Sequence, residues 1–135
     1  MTDLPTSPRI SVVVPVKNEA LNILPLVEEI ERACAALAPF EVIYVDDGST
    51  DDTGQKILSA RTTRPWLRLM RHEASCGQSA AVRTGVQAAR APVVITLDGD
   101  GQNDPAFIPQ LVAALKDPAV ALVAGQRVGR KDGTY

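Results

Sequence analysis

Residues 93–105 read VVITLDGDGQNDP. The run VVITL is apolar and rich in β-branched side chains, and three carboxylates follow it: Asp98, Asp100 and Asp104, with no lysine or arginine among them. An uninterrupted apolar run of this length predicts a strand buried on both faces, as in a parallel sheet. The Asp and Gly residues after it predict the strand's exit into a loop. Asp104, followed by Pro105, reads as the N-cap of a helix with proline in its first turn. The other two aspartates have no such local explanation.

The same grammar recurs outward along the chain. ISVVV at 10–14 predicts a buried strand, with Pro15 ending it. EVIYV at 41–45 predicts a second, Leu67–Met70 a weaker third, and Val120–Ala124 a fifth. Between them, Ile23, Val27, Ile30, Cys34 and Leu37 recur on one helical face, with Asn22 placed to cap that helix and Pro25 in its first turn. Ser49 and Asp52 are spaced as a capping box for a helix near 50–61. Gly77–Ala89 is a helix rich in Ala and Gly, suited to close packing on a sheet. Ile108, Leu111, Val112 and Leu115 mark the last helix. Strands alternating with helices predict βαβ units: an α/β, Rossmann-like, mostly parallel sheet with helices on both faces. In such sheets ligands bind beyond the carboxyl ends of the strands, where strand order reverses. A strand order of 3-2-1-4 brings three loops to one rim: PVKNEA (15–20), DDGS (46–49) and DGDGQND (98–104).

The rim chemistry is acidic. Close like charges raise one another's pKa unless a cation intervenes. Asp98, Asp100 and Gln102 alternate, so in an extended loop they lean to one side. Hard oxygen donors of this kind suit Mg²⁺ or Mn²⁺. Gly99 and Gly101 let a bulky anion approach the backbone. A turn is the other reading of an Asp/Gly cluster; the position after a buried strand, with a second acidic loop after strand two, favours the metal. In DDGS, one of Asp46 and Asp47 can accept from a base N–H or a ribose hydroxyl, and spacing leaves open which. No GxGxxG follows strand one and no GxxxxGK[ST] occurs, which excludes a dinucleotide fingerprint and a P-loop.

With 135 residues, 45% of them apolar, and a net charge of -2, the chain fits one domain without general affinity for nucleic acid or membranes. Residues 1–8 read as a disordered lead-in with no apolar core of a signal peptide, and 9–135 as the folded domain. Cys34 and Cys76 lack metal or redox spacing; Cys34 falls in a helix core and Cys76 reads as a tolerated small residue. His72 has no evident partner and reads as structural. Trp66 reads as a packing anchor, and Lys17, Lys56 and Arg83 as solvated.

VVVPVKNEA, VDDGSTDDT, CGQSAAVRTGVQAA and TLDGDGQNDP, in this order, resemble family 2 glycosyltransferases of the GT-A fold. GQRVGRKDG at 125–133 is similar to the GxRxxRxD segment of the branch with dolichol-phosphate mannose synthase and bacterial polyprenyl-phosphate glycosyltransferases. The resemblance implies a nucleotide-sugar donor, a divalent metal and inversion at the anomeric carbon. It implies that Pro15, Val16, Glu19, Asp46 and Asp47 line the nucleoside pocket. Asp98 would face nucleotide and sugar, Asp100 and Gln102 would ligate the metal, and Arg127 would reach the diphosphate or the sugar. SCGQ stands where relatives often have NxGQ or NxGK.

The expected function is therefore transfer of a sugar from a UDP- or GDP-linked donor, with Asp98, Asp100 and Arg127 at the reacting centre. A polyprenyl phosphate is the expected acceptor, and the cytoplasm or the cytoplasmic face of a membrane the expected place. The resemblance also implies that an acceptor-binding part follows the GxRxxRxD segment, so the chain reads as a truncated donor-binding half. The alternatives are a nucleotide-binding module without catalysis, a transferase with a saccharide hydroxyl acceptor, and a nucleotidyltransferase. The loop PVKNEA, which has no glycine, argues against the last.

Overall fold

The structure, a computed structural model, describes residues 7–98, 104–114 and, as backbone, 121–124. Asp100, Gln102, Arg127, Leu115, Val120 and the segment 125–133 lie outside the described residues, as do residues 1–6 of the expected lead-in. Pro8 is buried, and the Arg9 N–H donates to the Pro39 carbonyl at 2.8 Å.

The chain runs β1 (Ile10–Val16), α1 (Ile23–Cys34), β2 (Phe40–Asp47), α2 (Thr53–Arg61), β3 (Leu67–His72), α3 (Gln78–Ala88), β4 (Val93–Thr96), α4 (Ile108–Ala113) and β5 (Ala121–Ala124). All pairings are parallel, in the order β3-β2-β1-β4-β5. The expected 3-2-1-4 order is the one observed, and the direction of winding reverses between β1 and β4.

The sheet's two faces are covered unequally. Val12, Val14, Val42 and Tyr44 pack with Ile23, Val27 and Ile30 of α1, Ile57 of α2 and Ile108 of α4. This is the main core. The other face carries Ile43 and Val45 against Ala81 of α3. That helix lies very close to the sheet: a Cβ on Gly85 would sit 2.3 Å from Val13 Cγ1 and 3.2 Å from Val45 Cγ2. The small residues of α3 are what allow this approach. Trp66 packs on Phe40 with ring centroids 4.9 Å apart, as a packing anchor should. Cys34 is fully buried in the core, and burial pushes its thiol up to about 12.

Three local expectations are corrected. β1 does not end at Pro15 but continues through it to Val16. Val13 accepts from the Leu97 N–H at 2.9 Å, so its polar groups face β4. Pro15, two residues on, has the same orientation, and its missing N–H points where β4 is already leaving the sheet. Ser49 does not cap α2: its hydroxyl accepts the Asn18 N–H at 2.8 Å, and Asp51 instead accepts the Thr53 N–H at 3.0 Å. Asn22 stands at the N-cap of α1 but makes no side-chain cap; its amide N–H donates to Glu19 Oε1 at 2.6 Å. Asp104 does cap, accepting the Ala106 N–H at 3.0 Å at the start of a 3₁₀ turn, Pro105–Phe107, that leads into α4.

Candidate functional site

The register of the sheet assembles the rim. Val16 pairs with Asp46, Asp46 with Arg71, and Asp47 with His72. Val13 pairs with Thr96, so continuing that register by two residues sets Asp98 level with Pro15. The tips of β1, β2 and β4 thus meet at one end of the sheet. Pro15 and Val16 are buried there, and Glu19 is half-buried.

The first two loops are fastened to each other through Asn18, which sequence reading had passed over. Its φ of 55° is in the left-handed region, where Asn is among the better tolerated residues. Its N–H reaches Ser49, and its Oδ1 accepts the Thr50 N–H at 2.8 Å. Beside it, the Glu19 N–H donates to the Thr53 hydroxyl at 2.9 Å. The available signal was Asn followed by Glu at a strand exit, with Ser and Thr in the facing loop.

The paired aspartates lie on opposite faces of β2 and do different work. Asp47 is fully buried and accepts from His72 Nδ1 (2.8 Å), the Cys76 N–H (2.8 Å), the Gly77 N–H (2.9 Å) and the Ser75 hydroxyl (3.0 Å). Burial works to raise its pKa, but these donors outweigh it and bring the carboxyl down to about 2. Asp46 is equally buried and accepts the Ser49 N–H at 3.0 Å through Oδ1. Its Oδ2 takes no hydrogen bond among the described residues; the nearest cation is Arg71, whose exposed Nε is 3.7 Å away. Gly48 turns the chain after β2 at φ 72°, and a Cβ there would come 2.5 Å from the Ser75 nitrogen. The loops after β2 and β3 can touch only because that residue is glycine. A cleft of about 290 Å³ opens beside them, lined by Gly48, Ser49, Arg71, His72 and Glu73.

His72, read as structural, bridges two partners. Nδ1 meets Asp47, and Nε2 meets the Thr84 hydroxyl of α3 at 2.8 Å. The ring ties β2, β3 and α3 together. Asp47, His72 and Cys76 bring ligand-type atoms within 4.8 Å of one another, but the Asp47 and His72 atoms are already committed to these bonds. The cluster is a loop anchor. Cys76 itself is exposed.

Asp98, half-buried at the exit of β4, accepts from Gln78 Nε2 at 2.9 Å, which links the β4 tip to the first turn of α3. Asp98 and, next in sequence, Asp100 and Gln102 all carry hard oxygens. That donor chemistry fits Mg²⁺ or Mn²⁺ and does not fit a thiophilic metal.

Comparison with known proteins agrees with this geometry. The family described as "Glycosyl transferase family 2" matches residues 11–135. The chain is 38% identical over 130 residues to a dodecaprenyl-phosphate galacturonate synthase of Rhizobium johnstonii, covering 93% of this chain and 38% of the relative. It is 40% identical over 129 residues to an undecaprenyl-phosphate 4-deoxy-4-formamido-L-arabinose transferase of Pseudomonas fluorescens, again covering 93% and 38%. Among solved structures, the mannosyltransferase PcManGT of Pyrobaculum calidifontis, in complex with GDP-Man and Mn²⁺, superposes with a TM-score of 0.73 at 28% identity, covering 86% of this chain and 36% of that one. The glucosyl-3-phosphoglycerate synthase of Mycobacterium tuberculosis with Mn²⁺, UDP and glucosyl-3-phosphoglycerate gives 0.63 at 27% identity, covering 78% and 39%. The fold is that of these GT-A proteins, and the chain spans 38% of the length of these two curated relatives.

Proposed function

The chain belongs to glycosyl transferase family 2, and on that premise we propose that it is the donor-binding part of an inverting transferase that moves a sugar from a UDP- or GDP-linked donor to a polyprenyl phosphate. The observation that carries this reading is the meeting of the β1, β2 and β4 tips, with Asp46, Asp47 and Asp98 on one rim. The names of the polyprenyl-phosphate relatives support the acceptor class, and the nucleotide complexes of the structural neighbours support the donor class.

In this reading Pro15, Val16 and Glu19 wall the nucleoside pocket, and one of Asp46 and Asp47 receives a donor from base or ribose. Asp47 already has its protein donors, so a nucleotide would exchange for one of them. Asp46 has Oδ2 in hand. Asp98 is held by Gln78 against the donor, and Arg127 carries the charge that develops on the departing diphosphate. Asp100 and Gln102 would hold the divalent cation, which would supply Lewis-acid neutralisation of the diphosphate.

The step is a single displacement. A phosphate oxygen of the acceptor forms a bond to the anomeric carbon while the bond from that carbon to the diphosphate oxygen breaks, and the electron pair leaves with the nucleotide. A phosphate monoester has a second pKa near ~6 and is largely dianionic at neutral pH, so it attacks without a general base. A saccharide hydroxyl would need a general base, and in this reading Asp46, Asp47 and Asp98 are engaged with the nucleotide and the donor sugar. Among the described residues no helix is long and apolar enough to cross a membrane. A lipid-phosphate acceptor would place the reaction at a membrane surface, on the cytoplasmic side where nucleotide sugars are made.

The test is calorimetric titration with UDP and GDP, with and without Mn²⁺. One nucleotide should bind in a metal-dependent manner, and Asp100→Ala should remove the metal dependence. Failure of both to bind with metal present would contradict the donor-binding reading.

A further inference from the structure

Gln78 is the first residue of α3 and is joined to Asp98 across the rim. The partner fixes the orientation of its amide. An ionised carboxylate offers only acceptors, so the –NH₂ end must face Asp98. Nε2 does so at 2.9 Å. The carbonyl end is thereby turned away from Asp98, and Oε1 is buried with no hydrogen bond among the described residues. Buried acceptors are nearly always satisfied, so an exception calls for an explanation, such as a functional role or a bound ion or water. Asp46 Oδ2 is another buried oxygen at this end of the sheet without a hydrogen bond among the described residues. Tyr44 Oη is also without one, but its side chain belongs to the main core.

Resting on the donor-binding reading above, we propose that Gln78 is a specificity-determining residue: its Oε1 accepts a hydrogen bond from a hydroxyl of the nucleotide-sugar donor while its Nε2 holds Asp98 in place. A hydroxyl is the chemistry that fits. Oε1 is a neutral acceptor that needs a donor, and the diphosphate offers none. A base N–H has the Asp46 and Asp47 carboxylates nearer to the tips of β2 and β3. The ribose and the transferred sugar are the two sources of such a hydroxyl, and each is removable in a probe. The same division of labour explains why Gln rather than Glu suits this position. A second carboxylate against Asp98 would repel it, and of the two side chains only the amide can donate to Asp98 and accept from the ligand at once.

The experiment measures the affinity of the chain for UDP and GDP, for their 2′-deoxy and 3′-deoxy forms, and for UDP-glucose and GDP-mannose, in the presence of Mn²⁺. It uses the wild-type protein, Gln78→Met and Gln78→Glu, each checked for native folding by its thermal transition. In the wild type, removal of the recognised ribose hydroxyl, or of the whole sugar, should weaken binding about 10-fold. In Gln78→Met that same removal should cost less than about 2-fold, because the acceptor is gone. Gln78→Glu keeps an acceptor and should keep the discrimination, with weaker binding throughout. Discrimination of equal size in the wild type and in Gln78→Met would overturn the inference while leaving the donor-binding reading intact. Absence of any nucleotide binding to the wild type would overturn both.

Discussion

The two ends of this one sheet bury carboxylates in opposite ways. At the amino end, Glu41 is fully buried at the start of β2 and is met by cations: Arg68 at 2.9 Å and Arg90 Nε at 3.1 Å, with the Ser11 hydroxyl and the Arg90 N–H completing its shell. At the carboxyl end, Asp47 accepts from backbone N–H groups, a serine and a histidine, and Asp98 accepts from an amide. Beside Asp46 stands the exposed Arg71, 3.7 Å away. Charge at the amino end is cancelled within the protein. At the carboxyl end, Asp46 keeps Oδ2 without a hydrogen bond among the described residues, and in the proposed reading a cation-bridged diphosphate would face this rim. The first end is built for stability, and the second is the one proposed to receive the ligand.

Perturbing each end should separate these roles. The largest effect is expected from Glu41→Gln. It leaves two arginines without their buried partner, at a cost of about 3 kcal/mol, toward the lower end for a broken buried pair because both guanidinium groups keep some contact with water. Urea denaturation should report this loss, and nucleotide affinity of the folded protein should not change. Gly85→Ala tests the close seating of α3 at mid-sheet. Its new methyl group meets Val13, and overpacking of this kind costs about 1–3 kcal/mol.

A subtler effect concerns pH. The Asp47 carboxyl is depressed from its ordinary value to about 2 in the folded protein. A depressed carboxyl stabilises the fold above its unfolded pKa and loses that contribution as pH falls through the folded one. The contribution of Asp47 should therefore be complete above about pH 4 and disappear toward pH 2. Asp47→Asn should be less stable than the wild type at pH 7, and its stability should fall less steeply over that acid window. Equal slopes for the two proteins would remove Asp47 as the anchor of the 72–77 loop.

Much of this was legible from residue order, for stated reasons. Apolar β-branched runs and 3.6-residue spacing report burial, so the alternation of strands and helices, and with it the sheet, could be read locally. The strand-end position of Asp46, Asp47 and Asp98 followed from the same runs. What could not be read was which polar side chain meets which. Ser49 looks like a helix cap in sequence, yet it bonds Asn18, 31 positions away. His72 looks isolated, yet it bridges Asp47 and Thr84. Glu41 was absorbed into a strand as one charged residue among apolar ones. A charge inside a doubly buried strand was itself the signal, but its partners Arg68 and Arg90 come from distant segments that only the fold brings together.

The contrast between the two ends can be tested by placing a paramagnetic ion in the site. With Mn²⁺ and the nucleotide that binds, the amide NMR signals of Gly48, Gly77 and Asp98 should broaden beyond detection, while those of Ser11, Glu41 and Ala91 persist. Broadening centred on the Glu41 end, or spread evenly over the sheet, would contradict the assignment of the carboxyl end as the ligand site.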